Sequence, residues 1–192
     1  MLSVAIRNRR MSAFSWFRGI TAAGDVVGRD KITNNNLAHP RQLDLLSESF
    51  RVEVERNSTT TEIIDELHHY SNVRTDIRDL SQKLNAAGFG YLLSEAEELK
   101  QLVAKLIIKY QHYRSAQKII TYLLAEVESI FNAEIKGKLP SVSSEAELKL
   151  ILRECLIKEI QDKLGDNVLD IFNRQVNGMV FFLTGNCHLE WG

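Results

Sequence analysis

Residues 91–110, YLLSEAEELKQLVAKLIIKY, carry the clearest fold signal in the sequence. Apolar side chains recur in this stretch three or four positions apart, a spacing that places them along one face of an α-helix. They are Leu92, Ala96, Leu99, Val103, Leu106 and Tyr110. Further apolar residues (Leu93, Leu102, Ile107 and Ile108) widen that face. We therefore expect this helix to lie at the centre of a helical core.

The same spacing extends outward from this helix in both directions. On the N-terminal side it predicts helices over residues 41–56, over residues 63–70 with N-cap candidates at 58–61, and over residues 76–87. On the C-terminal side it predicts helices over residues 114–138, ended by Pro140, over residues 143–165, and from about residue 168 into the C-terminal motif. Six or seven helices with short connections indicate a mainly α fold, a multi-helix bundle over residues 41–192. We expect no sheet after residue 34.

The composition favours one ordinary domain, since 44% of the 192 residues are hydrophobic and 26% are charged. A formal net charge of −1 provides no global field for nucleic acid or an anionic membrane. Two cysteines without metal-ligand spacing predict neither a disulfide scaffold nor a zinc site, and we expect no metal and no cofactor. No signal peptide is evident, and the longest apolar run, residues 179–183, is far too short to span a bilayer. These features favour a soluble cytoplasmic protein.

The first 19 residues combine arginines with aromatic residues, so we interpret them as a flexible basic-aromatic arm. Arg7 and Arg18 bound the basic part, and Phe14, Trp16 and Phe17 lie within it. Such a segment can contact phosphates and stack on bases, which leaves a nucleic-acid-binding accessory protein as one hypothesis. We rank that hypothesis last, because the rest of the sequence predicts no basic face.

Residues 20–34 change to β-branched side chains separated by glycines, a pattern typical of short strands joined by a turn. One pair of short strands is marginally stable in water, and a second copy of the same segment is the simplest partner. We therefore predict a homo-oligomer that assembles through Gly24, Asp25, Val26, Val27, Gly28, Arg29, Asp30 and Ile32. An ordinary hairpin within one chain is the alternative. Residues 35–40 are interpreted as a linker.

The C-terminal residues 178–192, GMVFFLTGNCHLEWG, join an apolar helix-like run to an unusual polar ending. Gly185 and Asn186 are residue types that can end a helix in the left-handed conformation. Cys187, His188 and Trp191 are then most simply explained as structural residues that hold this end or present it to a partner. A small thiol-dependent hydrolase that uses Cys187 and His188 is the alternative, although no spacing brings an orienting group to them. We predict no catalytic residues and no enzyme activity.

The ending Gly185-Asn186-Cys187-His188-Leu189-Glu190-Trp191 resembles that of a helical C-terminal domain found in bacterial ABC-three-component conflict systems. The resemblance also includes residues 66–70, Tyr110 with residues 115–119, and the helix before Pro140, and it covers roughly residues 42–192. Leu189 replaces an expected isoleucine. Residues 24–33, GDVVGRDKIT, are similar to a short element that precedes interaction domains in bacterial conflict proteins.

This resemblance implies a module that joins an effector to ABC-type ATPase machinery. Because only about twenty residues precede Gly24, we expect the module to stand alone, without a fused effector. It would then act in anti-phage defence by binding an effector protein and an ABC-type ATPase.

Overall fold

The structure, a computed structural model, describes residues 41–72 and 78–192. Within these ranges the secondary structure is helical, with no strand. The elements are α1 (Gln42–Glu55), α2 (Asp65–Ser71), α3 (Leu80–Ala86), a 3-10 turn (Gly90–Leu92), α4 (Leu93–Tyr110), α5 (Arg114–Ile130), a π-helix (Phe131–Ile135), a 3-10 helix (Lys136–Ser141), α6 (Glu145–Ile151), a second π-helix (Leu152–Ile157), α7 (Lys158–Leu164) and α8 (Asn173–Gly185). The run from α6 through α7 is continuous, so the described residues contain seven helices, as the sequence predicts.

Helix α4 has the predicted central position. All six residues of its predicted apolar stripe are buried, and Ala96 and Val103 have no exposed surface. The prediction that further apolar residues widen this face is only partly correct, because Ile107 is buried whereas Ile108 is 60% exposed. The mainly α bundle predicted from the apolar spacing is therefore confirmed.

Helix α8 packs along α4, and a glycine permits the close approach of the two backbones. A Cβ atom placed on Gly178 would lie 2.6 Å from the carbonyl oxygen of Leu99 and 2.8 Å from Cγ2 of Val103. Val176, Met179, Val180 and Leu183 lie on the buried side of α8, and none of them has exposed surface. The apolar run before the terminal motif is thus a core helix.

A buried glutamine fixes the connection between α1 and α2. The Gln117 side chain on α5 accepts a hydrogen bond from the Ile64 amide at 2.8 Å and donates to the carbonyl of Glu62 at 2.9 Å. Its amide nitrogen also lies 2.5 Å from the carbonyl of Gln111. Because all of these partners are backbone groups, Gln117 can hold the connecting segment in place whatever side chains that segment carries.

Several predicted helix boundaries are wrong in detail. The side chain of Thr60 accepts a hydrogen bond from the Glu62 amide rather than capping α2, which begins only at Asp65. Helix α3 begins at Leu80 because Asp79 caps it, with Oδ1 2.8 Å from the Gln82 amide. The predicted helix over residues 114–138 passes into a π-helix and then a 3-10 helix that contains Pro140. The final helix begins at Asn173, five residues later than predicted.

The basic-aromatic arm, the β element at residues 20–34 with its eight assembly residues, and the linker all lie outside the described residues. Within the described ranges, no helix combines the length and the apolar character needed to cross a membrane.

Candidate functional site

The terminal motif begins where α8 ends, and its backbone forms a Schellman motif. The amide of Cys187 donates to the carbonyl of Thr184 at 3.2 Å, and the amide of His188 donates to the carbonyl of Leu183 at 2.8 Å. Cys187 itself has φ of +69°. These bonds satisfy two of the last carbonyls of α8 and turn the chain back towards the core.

The left-handed residue is therefore Cys187, and the assignment of that conformation to Gly185 or Asn186 is wrong. Gly185 is the last residue of α8, and Asn186 follows with φ of −99°. Gly185 lies beside Lys100: an added Cβ atom would lie 2.5 Å from Nζ of Lys100 and 2.9 Å from its Cε, but these atoms are the flexible end of a side chain that can move aside. Sequence reasoning missed Cys187 because residues other than glycine rarely adopt this conformation.

Trp191 closes the core beneath the turn. It is 2% exposed, and its ring stacks on Phe181 and lies against Phe89 and Phe131, with centroid distances of 6.0, 5.4 and 5.5 Å. The indole N–H donates to Oγ1 of Thr184 at 2.9 Å, and that hydroxyl donates to the carbonyl of Val180 at 2.7 Å. Trp191 thereby fills an apolar volume without leaving its polar nitrogen unsatisfied.

A buried lysine that sequence reasoning did not identify binds the returning chain. Nζ of Lys83 donates to the carbonyls of Leu189 at 3.0 Å and Thr184 at 3.3 Å, and it lies 2.9 Å from Oε1 of Glu190. The side chain of Lys83 is fully buried, and its three acceptors match the three protons of its ammonium. Arg78 binds the other carboxylate oxygen of Glu190 at 3.0 Å from the surface side.

Asn186 connects the motif to α2. The amide nitrogen of its side chain donates to the carbonyl of Tyr70 at 2.9 Å, and the residue is 2% exposed. The hydroxyl of Tyr70 donates to Oε2 of Glu128 at 2.9 Å. Burial of the ring, the hydrogen bond to Glu128 and the nearby negative charge raise the pKa of Tyr70 to about 12.

Cys187 and His188 both make contacts within the fold. Sγ of Cys187 lies 3.8 Å from the carbonyl oxygen of Arg78. The His188 ring packs beside the rings of His69 and Tyr70, with a centroid distance of 4.9 Å to each. The carboxylate of Glu190 binds Lys83 and Arg78, and the ring of His112 contacts the carbonyl of Thr60. In the parts of the chain that the structure describes, no three histidine, cysteine or acidic residues are grouped so as to hold a metal ion.

The five motif residues predicted from the sequence thus lie at one end of the bundle, where α8, α3 and α2 meet. Lys83, Thr184, Tyr70 and Phe89 complete the arrangement. Thr184 adjoins the predicted motif in sequence, whereas the other three are distant from it and could not be assigned by spacing.

Comparison with known proteins identifies a family for this chain. Neither a curated protein nor a solved structure matches the chain significantly. A family model for C-terminal domain 9 of the ABC-three component (ABC-3C) systems matches residues 79–191. This range begins at the N-cap of α3 and ends at Trp191, so it contains both Lys83 and the whole terminal motif. The match covers more than half of the sequence, and the chain belongs to the CTD9 family of C-terminal domains of the ABC-three component systems.

Proposed function

We propose that this protein is a non-enzymatic adaptor that links an effector to an ABC-type ATPase in a bacterial conflict system that defends against phage. Membership of the ABC-3C family supports a role beside other protein components. One structural observation supports the adaptor role in particular: several polar groups of the terminal motif bind the fold itself. The Trp191 indole, the Asn186 amide nitrogen and the Glu190 carboxylate all have partners within the chain.

In this proposal the terminal motif (residues 185–191) and Lys83 together form a clasp. The contacts of this clasp keep the bundle closed and its surface in a fixed shape. A rigid surface binds a partner with less loss of conformational entropy than a flexible one. The adaptor works in the cytoplasm and assembles with copies of itself through residues 20–34.

Co-expression with the ATPase and the remaining components encoded beside it provides the main test. We expect the full chain to co-purify with the ATPase as a complex of defined mass by light scattering. A Lys83→Met chain, whose clasp is broken, should lose the complex, whereas a Lys105→Met chain, changed at an exposed lysine, should retain it. Absence of any complex between the unaltered chain and the ATPase would contradict the adaptor proposal.

The self-assembly part needs a separate measurement on the full chain. Light scattering should give a multiple of the 21.9 kDa chain mass. Replacing both Val26 and Ile32 by lysine should reduce that mass to one chain, because two charges would oppose strand pairing. An unaltered chain that is monomeric at micromolar concentration would remove the assembly proposal and leave the adaptor role standing.

A further inference from the structure

An open groove is lined in part by Phe89, one of the aromatic residues that contact Trp191. Its volume is about 440 Å³, and it runs between the end of α3 and the start of α6. The lining residues are Ala87, Gly88, Phe89, Tyr91, Leu139, Pro140, Val142, Ser143, Ser144 and Glu145. Phe89 and Leu139 are 5% and 3% exposed, so the lining includes a firmly packed apolar part.

Tyr91 lines this groove and is exposed, although one side of its ring packs against a buried residue. The residue is 53% exposed, yet its ring packs edge-on against Phe89 with a centroid distance of 6.3 Å. Phe89 in turn contacts Trp191. A tyrosine held in this way contributes a large contact area with little further loss of rotamer freedom, which is why tyrosines are frequent among the residues that dominate binding energies.

The charge beside the groove is negative. Glu145 is the only residue with a formal charge among the described residues that line it. Beside it, Glu147 accepts hydrogen bonds from the amide and hydroxyl of Ser143 at 2.8 and 3.0 Å, and Lys149 bridges Glu145 and Glu95 at 2.6 and 3.3 Å. Glu145 and Glu95 thus share a single ammonium, and Glu147 adds a third carboxylate nearby that binds only Ser143 among the contacts of this group. An incoming positive charge would be attracted here, and an incoming carboxylate would be repelled.

One of the lining residues, Gly88, has a backbone conformation that favours glycine. Gly88 has φ of +82°, and a Cβ atom placed on it would meet no atom within 4 Å. Any side chain at this position would therefore project into empty space beside the lining residues. Pro140, on the opposite side, is held within the 3-10 helix Lys136–Ser141.

We propose that this groove is the docking site for an extended segment of a partner protein, in which one large apolar side chain is flanked by basic residues. The apolar side chain packs between Tyr91 and the Phe89–Leu139 floor, while the basic residues lie against Glu145 and its neighbouring carboxylates. The proposal deepens the adaptor function and rests on it, since it assigns that function to one surface. The family motif then has an indirect role, because Trp191 supports the Phe89 floor from below.

Binding of synthetic peptides to the full chain tests the groove directly. The probe is fluorescein-labelled Gly-Ser-Arg-Leu-Trp-Lys-Ser-Gly, compared with one peptide in which Trp is replaced by Ala and another in which Arg and Lys are replaced by Glu. Fluorescence anisotropy should show saturable binding of the first peptide and at least tenfold weaker binding of the other two. Equal affinities for all three peptides, or no binding of any, would overturn the proposal.

Three variants of the chain test whether the peptide binds in the groove. Tyr91→Ala should weaken binding of the basic peptide at least tenfold, and Gly88→Asn, in which asparagine tolerates the positive φ, should also weaken it by adding a side chain to the lining. Glu145→Lys should reverse the preference, so that the acidic peptide binds better than the basic one. Leu150→Ala, at an exposed apolar residue that does not line the groove, serves as the matched control. Unchanged affinities in Tyr91→Ala and Glu145→Lys, with melting temperatures equal to that of the unaltered chain, would sink the proposal.

The same variants separate this inference from the adaptor function. If the unaltered chain forms a complex with the ATPase and Tyr91→Ala forms it with equal affinity, the adaptor function stands and the groove is not its docking site. If no complex forms, the peptide measurements still decide whether the groove binds basic apolar segments. If Tyr91→Ala changes only the mass of the chain by itself, the groove is a contact between copies, and the proposal fails.

Discussion

Nζ of Lys83 lies 2.9 Å from Oε1 of Glu190, and the lysine side chain is fully buried whereas the glutamate side chain is 35% exposed. This asymmetry makes the lysine the more consequential partner. Its ammonium is removed from water, and within the described part of the chain its partners are the carbonyls of Thr184 at the end of α8 and of Leu189, and the carboxylate of Glu190. The carboxylate keeps some hydration and has Arg78 as a second partner.

Replacing Lys83 by Met should therefore destabilise the protein by about 2–4 kcal/mol, since two carbonyls and a carboxylate would lose their buried donor. Glu190→Gln should cost roughly 1 kcal/mol, because the amide oxygen can still accept from Lys83. Chemical denaturation followed by far-ultraviolet circular dichroism measures both changes. Lys105→Met is the control, with an expected change within about 0.5 kcal/mol. A Lys83→Met chain as stable as this control would contradict the assigned role of the clasp.

Lys83 also shows where prediction from sequence reached its limit. The apolar stripe of α4 was predictable, because burial of a helix face depends on spacing within one segment. Lysine is almost never buried without partners, and the partners of Lys83 lie more than 100 positions away in sequence. The contacts of Gln117 could not be predicted either, because its partners are backbone groups, which any sequence provides. Residues 185–191 could be recognised as a motif from the sequence, but the residues that they contact could not be predicted from it.

Trp191 allows packing and hydrogen bonding to be separated. Trp191→Phe keeps much of the contact with Phe89, Phe131 and Phe181 but loses the bond to Thr184, so we expect a loss of roughly 1–2 kcal/mol. Trp191→Ala should cost about 3–5 kcal/mol through the cavity that it leaves. Urea denaturation of both chains measures the difference. Equal losses for the two substitutions would show that the hydrogen bond, rather than the ring, carries the stabilisation.

Gly178 should tolerate no larger residue. Alanine is favoured over glycine in a helix by about 1 kcal/mol, yet the added methyl would lie 2.6 Å from the Leu99 carbonyl oxygen. Because that oxygen belongs to the backbone of α4, the two helices would have to separate, and we expect a net loss of roughly 2 kcal/mol or more.

Gly137 is the matched control for this substitution. It lies in the 3-10 helix Lys136–Ser141, and a Cβ atom there would meet no atom within 4 Å. Gly137→Ala should therefore leave the melting temperature unchanged or raise it slightly. Comparable destabilisation by the two alanines in differential scanning calorimetry would contradict the close α4–α8 packing.

Tyr70 predicts how stability depends on alkaline pH. Its pKa is about 12 in the folded chain and about 10 when it is unfolded, mainly because burial disfavours the phenolate. The folded state therefore retains the proton longer, and stability should fall as pH rises from about 10 towards 12. Tyr70→Phe should remove that part of the decline while losing the hydrogen bond to Glu128 at every pH. Unfolding free energies at pH 8 and pH 11 test this, and an identical pH slope for both chains would exclude Tyr70 as the cause.

Cys187 separates the structural and catalytic interpretations of the motif in one experiment. Its φ of +69° costs a residue with a side chain about 1 kcal/mol, so Cys187→Gly should stabilise the chain by up to about that amount. Cys187→Val should be destabilising, because a β-branched side chain fits this conformation worst. Asn57→Gly, at the left-handed residue after α1, should change little, since asparagine already tolerates a positive φ.

The two interpretations diverge on what happens to function in Cys187→Gly. If the residue only shapes the turn, this chain should form the ATPase complex as well as the unaltered chain does, measured by co-purification. If Cys187 is a nucleophile, the same substitution should abolish both a thiol-dependent hydrolysis and its inhibition by iodoacetamide. A stable Cys187→Gly chain that forms the complex but loses function in the host would favour the catalytic interpretation, because glycine preserves the left-handed turn and removes only the sulfur.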